Sequence, residues 1–273
     1  MPGYEVAAYY FPNFHADARN EARYGRGWTE WELLKNAKPR FPGHQQPKVP
    51  AWGYEDEADP AVFARKIDAA ADHGLSAFIF DWYWYEGSPF LARGLEEGYF
   101  GAANRERLKF ALMWANHDWL EIFPRGYKQD TPRIFNGAVD RKEFERMVPY
   151  IIDTYMVRPE YWKIDGCPYF SIYEMGTFLR GLGGIDETRR ALDFFRETAS
   201  RAGLPGLHLN MVIWQLPNLL SETVVAGPAA RLTELGIDSI TSYAWVHHAA
   251  HRAGQALREP RLSLHACTLQ IHA

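Results

Sequence analysis

Short apolar runs alternate along this chain with amphipathic stretches of helical spacing, and most of the apolar runs stop abruptly at polar and aromatic residues. Lys109–Trp119 (KFALMWANHDW) shows the pattern most clearly. Phe110, Ala111, Leu112, Met113 and Trp114 read as a buried strand, and Asn116, His117, Asp118 and Trp119 crowd its end. The same transition recurs. Glu5–Phe11 reads as a first strand closed by Pro12 and Asn13, and Leu75–Phe80 as a second, followed by Asp81-Trp82-Tyr83-Trp84-Tyr85. Trp162–Gly166 leads through Pro168 into a fourth strand, Tyr169–Tyr173, which ends at Glu174. Leu207–Trp214 reads as the fifth, with Asn210 and Trp214 near its end, and Asp238–Tyr243 as the sixth, followed by Trp245, His247 and His248.

Helices are predicted between these strands. Asp59 is placed to cap a helix over Pro60–His73, with proline at its first position and Gly74 at its end. Further helices are expected over Phe90–Glu97, Arg141–Tyr155 (Phe144, Met147, Val148, Ile151 and Ile152 on one face), Asp186–Arg201 capped by Asp186, and Glu222–Leu235 interrupted near Gly227-Pro228. Phe14–Ala58 is a long segment rich in Gly, Pro and Trp. Its aromatics argue against disorder, and it reads as an ordered lid carrying His15, Trp28, Glu30 and Trp31.

Strand–helix alternation in this order implies a parallel sheet with right-handed crossovers. A doubly wound sheet calls for a glycine-rich phosphate turn after an early strand, and none is present. Polar and aromatic residues at nearly every strand end favour a (β/α)8 TIM barrel, whose site is built from those ends. About six of the eight β/α units are evident. Leu262–Ile271 offers only a makeshift further strand, so the expectation is a chain stopping about two units short. With no internal repeat or linker, residues 1–273 are expected to form a single domain.

Composition narrows the chemistry. Aromatics make up 15% of the chain, with ten Trp, which raises flat platforms for sugar rings beside a plain aromatic core. The net charge of −4 and the lack of a basic stripe exclude nucleic acid as an expected partner. The two cysteines, Cys167 and Cys267, show no metal or redox spacing. No signal-peptide pattern opens the chain and no run reaches membrane-span length, so a cytoplasmic protein without a membrane span is expected. His15, His117, His247 and His248 have no short-range ligand spacing, and neither metal nor cofactor is expected.

Acid–base work on a bound sugar would use a pair of carboxyl groups, one protonated and one ionised. The candidates are the strand-end carboxylates Glu174, Asp118 and Asp81, with Glu30 on the lid. Trp31, Trp82, Trp84, Trp114 and Trp119 are candidate sugar platforms. Asn116, His117, His15 and His247 are candidate hydroxyl binders, and Asn210 and Trp214 complete the expected binding set.

Several stretches together resemble the WbsX-type, glycoside hydrolase family 99-like domains of bacteria. They are AAYYFPNFH (Ala7–His15), GWTEWELLKNAKPRFPGHQQPKVP (Gly27–Pro50), FIFDWYWYEGSPFL (Phe78–Leu91), LKFALMWANHDW (Leu108–Trp119), RPEYWKIDGCPYFSIYE (Arg158–Glu174), LHLNMVIW (Leu207–Trp214) and SITSYAWVHH (Ser239–His248). The resemblance ends near His248, without the Trp-Asp motif and nearby Arg of the family's later strands. It implies a (β/α)8 glycosidase barrel acting on a bacterial oligosaccharide or polysaccharide. In such barrels the acid commonly ends strand four, where Glu174 stands. No equivalent is evident of the close Glu pair that family 99 proper uses with the sugar's own 2-hydroxyl. The expected function is glycoside hydrolysis, with non-catalytic glycan binding and glycosyl transfer as alternatives.

Overall fold

The computed structural model describes residues 4–121, 131–213 and 232–242. Trp214 and His247, the predicted helix over residues 222–235 in most of its length, and the tail with its makeshift strand lie outside them. The chain divides into two compact units. The first comprises Met1–Leu112, Asp118–Asn136 and Pro159–Trp162; the second comprises Met113–His117, Gly137–Arg158 and Lys163–Ala273.

In the first unit β1 (Ala7–Tyr10) pairs in parallel with β2 (Ala77–Tyr85), from Ala7 opposite Ala77 to Tyr10 opposite Phe80. Next in order is β3 (Lys109–Trp114), whose first four residues belong to this unit. Phe110 of β3 forms a parallel bridge with Tyr161. Helix α1 (Ala18–Tyr24) is capped by Asp17, which accepts from Arg19 N, and α2 (Trp31–Lys35) follows it in the lid segment. Helix α3 (Pro60–Asp72) is capped by Asp59 as expected and buries Phe63, Ile67 and Ala70. The Phe63 ring meets Tyr10, Phe80 and Tyr99 at centroid distances of 5.5, 5.9 and 6.1 Å.

The structure corrects two readings here. The aromatic cluster Asp81–Tyr85 does not follow the second strand; it is the second half of it, and all nine residues of β2 are buried. The helix expected over Phe90–Glu97 is instead a hairpin strand, Ser88–Phe90, followed by a π-helical segment, Gly94–Tyr99. The turn residues Glu86 and Gly87 have φ of 50° and 82°, the positive values that a two-residue hairpin turn needs, and these fold Phe90 back opposite Tyr83. Gly98 lies where the π-helical segment meets α3: a Cβ there would stand 2.7 Å from the Phe63 ring and against the Glu57 carbonyl.

In the second unit the end of β3 is followed in order by β4 (Cys167–Ile172), with Tyr173 N donating to Trp114 O at 3.1 Å. Parallel pairs join β4 to β5 (His208–Ile213) and β5 to β6 (Ser239–Ser242). Helix α4 (Arg141–Ile151) is capped by Asp140, which accepts from Glu143 N, and buries Phe144, Met147, Val148 and Ile151. It contains Pro149, which has no N–H to give, and the chain then widens into a π-helical turn, Ile152–Met156. Helix α5 (Met175–Leu182), absent from the sequence reading, ends at Gly183 in the left-handed conformation. Helix α6 (Ile185–Arg201) is capped by Gly184, not Asp186. Asp186 lies in the first turn, where its charge complements the helix dipole. Leu192, Phe195 and Ala199 face inward, and Phe195 packs on Phe170 and Phe144 at 5.3 and 6.3 Å. No helix among the described residues is long and apolar enough to cross a membrane.

Two glycines separate close packing from ordinary propensity. Gly98→Ala must displace a backbone carbonyl or a buried ring and is expected to cost about 1–3 kcal/mol. A Cβ on Gly176 would meet nothing closer than the Glu174 carboxylate at 3.6 Å. Gly176→Ala is therefore expected to leave stability unchanged or raise it by up to about 1 kcal/mol. Thermal unfolding of the two variants beside the wild type checks both expectations, and equal melting temperatures for the two would contradict them.

Candidate functional site

In the first unit the chain leaves β1 at Tyr10 and turns through buried Asn13 and His15. The Asn13 side-chain N–H donates to the Glu30 carboxylate. Glu30 immediately precedes α2, so the short helix presents it toward the end of β1. Trp31 stacks on Phe14 with ring centroids 3.7 Å apart, and its indole N–H donates to the Glu55 carbonyl at 2.7 Å.

Burial pushes the Glu30 carboxyl up to about 7; the Asn13 hydrogen bond opposes that rise, and the charge of Glu57 adds to it. Glu57 is itself almost fully buried. It accepts from the Tyr10 hydroxyl, from Phe14 N at 2.9 Å and from Lys66 Nζ at 2.6 Å. Burial first, and then Glu57, hold the Tyr10 hydroxyl well above the usual phenol range, so it stays a donor. A carboxyl that titrates near neutrality, beside one held by three donors, is the kind of environmental split that separates an acid from a fixed anion.

The sequence reading missed Asn13, Glu57, Lys66 and Tyr10. Glu57 lies in the acidic run Glu55–Asp59, which looks like a solvated loop, and its partners come from distant parts of the chain. Asn13 offered one signal, a polar residue directly after an apolar strand.

Other predicted residues of this unit take different positions. His15, expected to bind hydroxyls, is fully buried. Among the described residues neither of its nitrogens has a hydrogen-bond partner, and burial lowers its pKa, so the ring is neutral. Asp81, Trp82 and Trp84 are buried inside β2, with the two indoles stacked at 5.6 Å. The candidate platforms Trp82 and Trp84 are thus 2% and 4% exposed. Asp118 pairs with Arg133 at 3.3 Å. Trp119 is partly exposed and meets Tyr83 and Phe90 edge-on at 5.3 and 5.1 Å.

In the second unit the end of β3 carries Asn116 and His117. Asn116 is buried, and both ends of its amide bind the backbone of Glu174. Its Nδ2 donates to Glu174 O and its Oδ1 accepts from Glu174 N, each at 2.8 Å. The residue expected to bind sugar hydroxyls thus spends one N–H and one oxygen lone pair on the Glu174 backbone. Glu174 precedes α5 in an extended conformation (φ −129°, ψ 100°), and its side chain makes no capping bond. Among the described residues its partly exposed carboxylate carries no hydrogen bond or ion pair. The His117 ring lies 5.5 Å from that of Tyr173.

Trp114 is a core residue, 1% exposed, between Phe178 at 5.4 Å and Phe144 at 6.1 Å; no face is left for a sugar. Asn210 is fully buried, and its side-chain N–H group donates to Thr241 Oγ1 at 3.0 Å and Ser171 Oγ at 3.4 Å, which ties it into the sheet. Among the described residues there is no group of three or more His, Cys, Asp or Glu that could hold a metal ion.

A solved structure of similar fold is the GH99 endo-alpha-mannosidase from Bacteroides thetaiotaomicron in complex with bis-tris-propane. It aligns with a TM-score of 0.52 at 14% identity, covering 88% of this chain and 59% of that chain. At that identity the likeness concerns the fold alone, and it gives the α/β, TIM-barrel-like class expected from the strand ends. Two curated relatives, both called uncharacterized protein WxcX and from two strains of Xanthomonas campestris pv. campestris, are 31% identical over 169 residues. That stretch is 62% of this chain and 24% of theirs, so the match spans about a quarter of the relatives' length. A family model described as glycosyltransferase WbsX matches residues 6–259, past His248 where the motif resemblance stops. With the match running over nearly its whole length, the chain belongs to the family described as glycosyltransferase WbsX.

Proposed function

We propose that this chain is part of a carbohydrate-active protein that hydrolyses glycosidic bonds in a bacterial polysaccharide. The observation that carries the reading is Glu30: a largely buried carboxyl at the end of β1, held by Asn13 and titrating at about 7. Such a group holds a proton at neutral pH and can pass it to a glycosidic oxygen as the C–O bond breaks. Trp31, adjacent in sequence and fixed on Phe14, supplies an apolar ring beside it. The fold shared with an endo-alpha-mannosidase supports the reading. Asp81, Asp118 and Glu174 are the other candidate carboxylates, and the Glu174 variant tells whether the second unit takes part.

The family's description favours a second reading, glycosyl transfer. Transfer from a sugar nucleotide needs a diphosphate-binding element, and the sequence has no glycine-rich phosphate turn. Donor-dependent transfer without hydrolysis would replace the first reading with this one.

The test is product release from a panel of bacterial glycans by the full-length protein. Glu30→Gln is expected to lower kcat by about 10²–10⁴-fold. Unchanged turnover in that variant removes Glu30 from the chemistry, and release of no sugar from any glycan, with binding retained, leaves a glycan-binding domain.

Stability gives an independent check of the Glu30 environment. Its folded pKa of about 7 lies above the ordinary 4.5, so the folded state holds the proton more tightly than the unfolded state does. The resulting stabilisation is complete below pH 4.5 and is lost as pH rises through 7. Glu30→Gln, neutral throughout, is expected to match the wild type at pH 4 and to exceed it at pH 8 by about 1–3 kcal/mol. Parallel denaturant titrations at the two pH values measure this, and a constant difference between the proteins would contradict the raised pKa.

A further inference from the structure

We infer that Asn116 is a positioning residue for Glu174: it grips the Glu174 backbone from both sides and leaves the carboxylate free to work. The inference rests on Glu174 taking part in the proposed hydrolysis. Its ground is the pair of 2.8 Å bonds that one buried amide makes to the N–H and the C=O of a single residue. An amide is suited to this, because it offers both a donor and an acceptor, matching the C=O and the N–H of one residue. A carboxylate at the same position could accept but not donate, and a hydroxyl could not span both.

The mount is rigid on its own side. Trp114, two residues earlier, is locked between Phe178 and Phe144, and its carbonyl accepts from Tyr173 N at 3.1 Å. Gly137 lies directly against the Asn116–His117 peptide, where any side chain would collide with the His117 carbonyl. The Asn116 backbone is thereby fixed by packing, and its amide is pointed at Glu174 without help from the Glu174 side chain.

The arrangement also explains a local oddity. Glu174 occupies the capping position of α5, where a side-chain oxygen ordinarily accepts from the first turn of the helix. Its carboxylate makes no such bond. With Asn116 holding its backbone, the residue keeps its extended conformation without self-capping, and the carboxylate is spared.

The test is a double-mutant cycle on the glycan that the wild type cleaves, with Asn116→Ala, Glu174→Ala and the double variant, and with Asn116→Ser and Asn116→Asp as milder replacements. Asn116→Ala is expected to lower kcat by about 10–100-fold, with KM within about threefold. The double variant should be no slower than Glu174→Ala alone, because Asn116 acts only through Glu174. Losses that multiply in the double variant would overturn the inference while leaving the role of Glu174 intact. Glu174→Ala with wild-type turnover would instead remove Glu174 from the reaction, and the inference with it.

Amide hydrogen exchange of the intact protein supplies a reading that needs no turnover. In Asn116→Ser the Glu174 N–H should exchange at least about tenfold faster, while the neighbouring Tyr173 N–H stays protected. Equal acceleration at both, or at neither, would show that Asn116 does not hold Glu174 specifically.

Discussion

A buried carboxylate ties the lid segment to the first strand. Glu57 is 2% exposed, and an unpaired charge at that depth costs several kcal/mol. It survives there because three donors converge on it: the Tyr10 hydroxyl, the Phe14 amide and the Lys66 ammonium. Two of those donors flank the turn after β1 and the third comes from α3. Satisfying Glu57 therefore fixes the strand end, the start of the lid and the helix against one another. Glu30 inherits its surroundings from this. The lid that Glu57 fastens carries Glu30 next to Asn13, and the same negative charge adds to the rise in its pKa.

Much of the architecture was legible because it is written in local periodicity. The helix over Pro60–Asp72 announces itself with an Asp cap, a proline and regularly spaced apolar residues. The strand of β3 does so with an unbroken apolar run. What escaped notice depends on contacts made far along the chain. The aromatic half of β2 looks like a polar-ended loop until Ser88–Phe90 folds back upon it. Helix α5 contains Gly176 and Gly181, which depress helix propensity, and Gly181 is there because the Val139 backbone passes too close for a side chain. At the candidate site, residue type alone flagged Glu30 and Glu174. Their controlling partners were invisible, since the bonds from Tyr10 to Glu57 and from Asn116 to Glu174 span 47 and 58 positions.

The two carboxyl groups differ in physical state, and that difference says more about chemistry than their number. Glu30 is desolvated, which raises its proton affinity against the opposing pull of its hydrogen bond from Asn13. Glu174 is held by its backbone, and among the described residues its carboxylate carries no hydrogen bond or ion pair. The family's description points to transfer and the fold neighbour to hydrolysis. Both chemistries break a bond at a sugar's anomeric carbon. The fold alone does not choose between them, because barrels of this class host many reactions.

The enclosure of β2 bears on how such a protein can change. Nine consecutive residues are buried, four of them Trp or Tyr. Substitution anywhere along it alters packing before it alters recognition, and the cost is paid in stability. Exposed positions such as Phe41, Val49 and Trp52 carry no such constraint, because a changed side chain there meets solvent and the interior stays as it is.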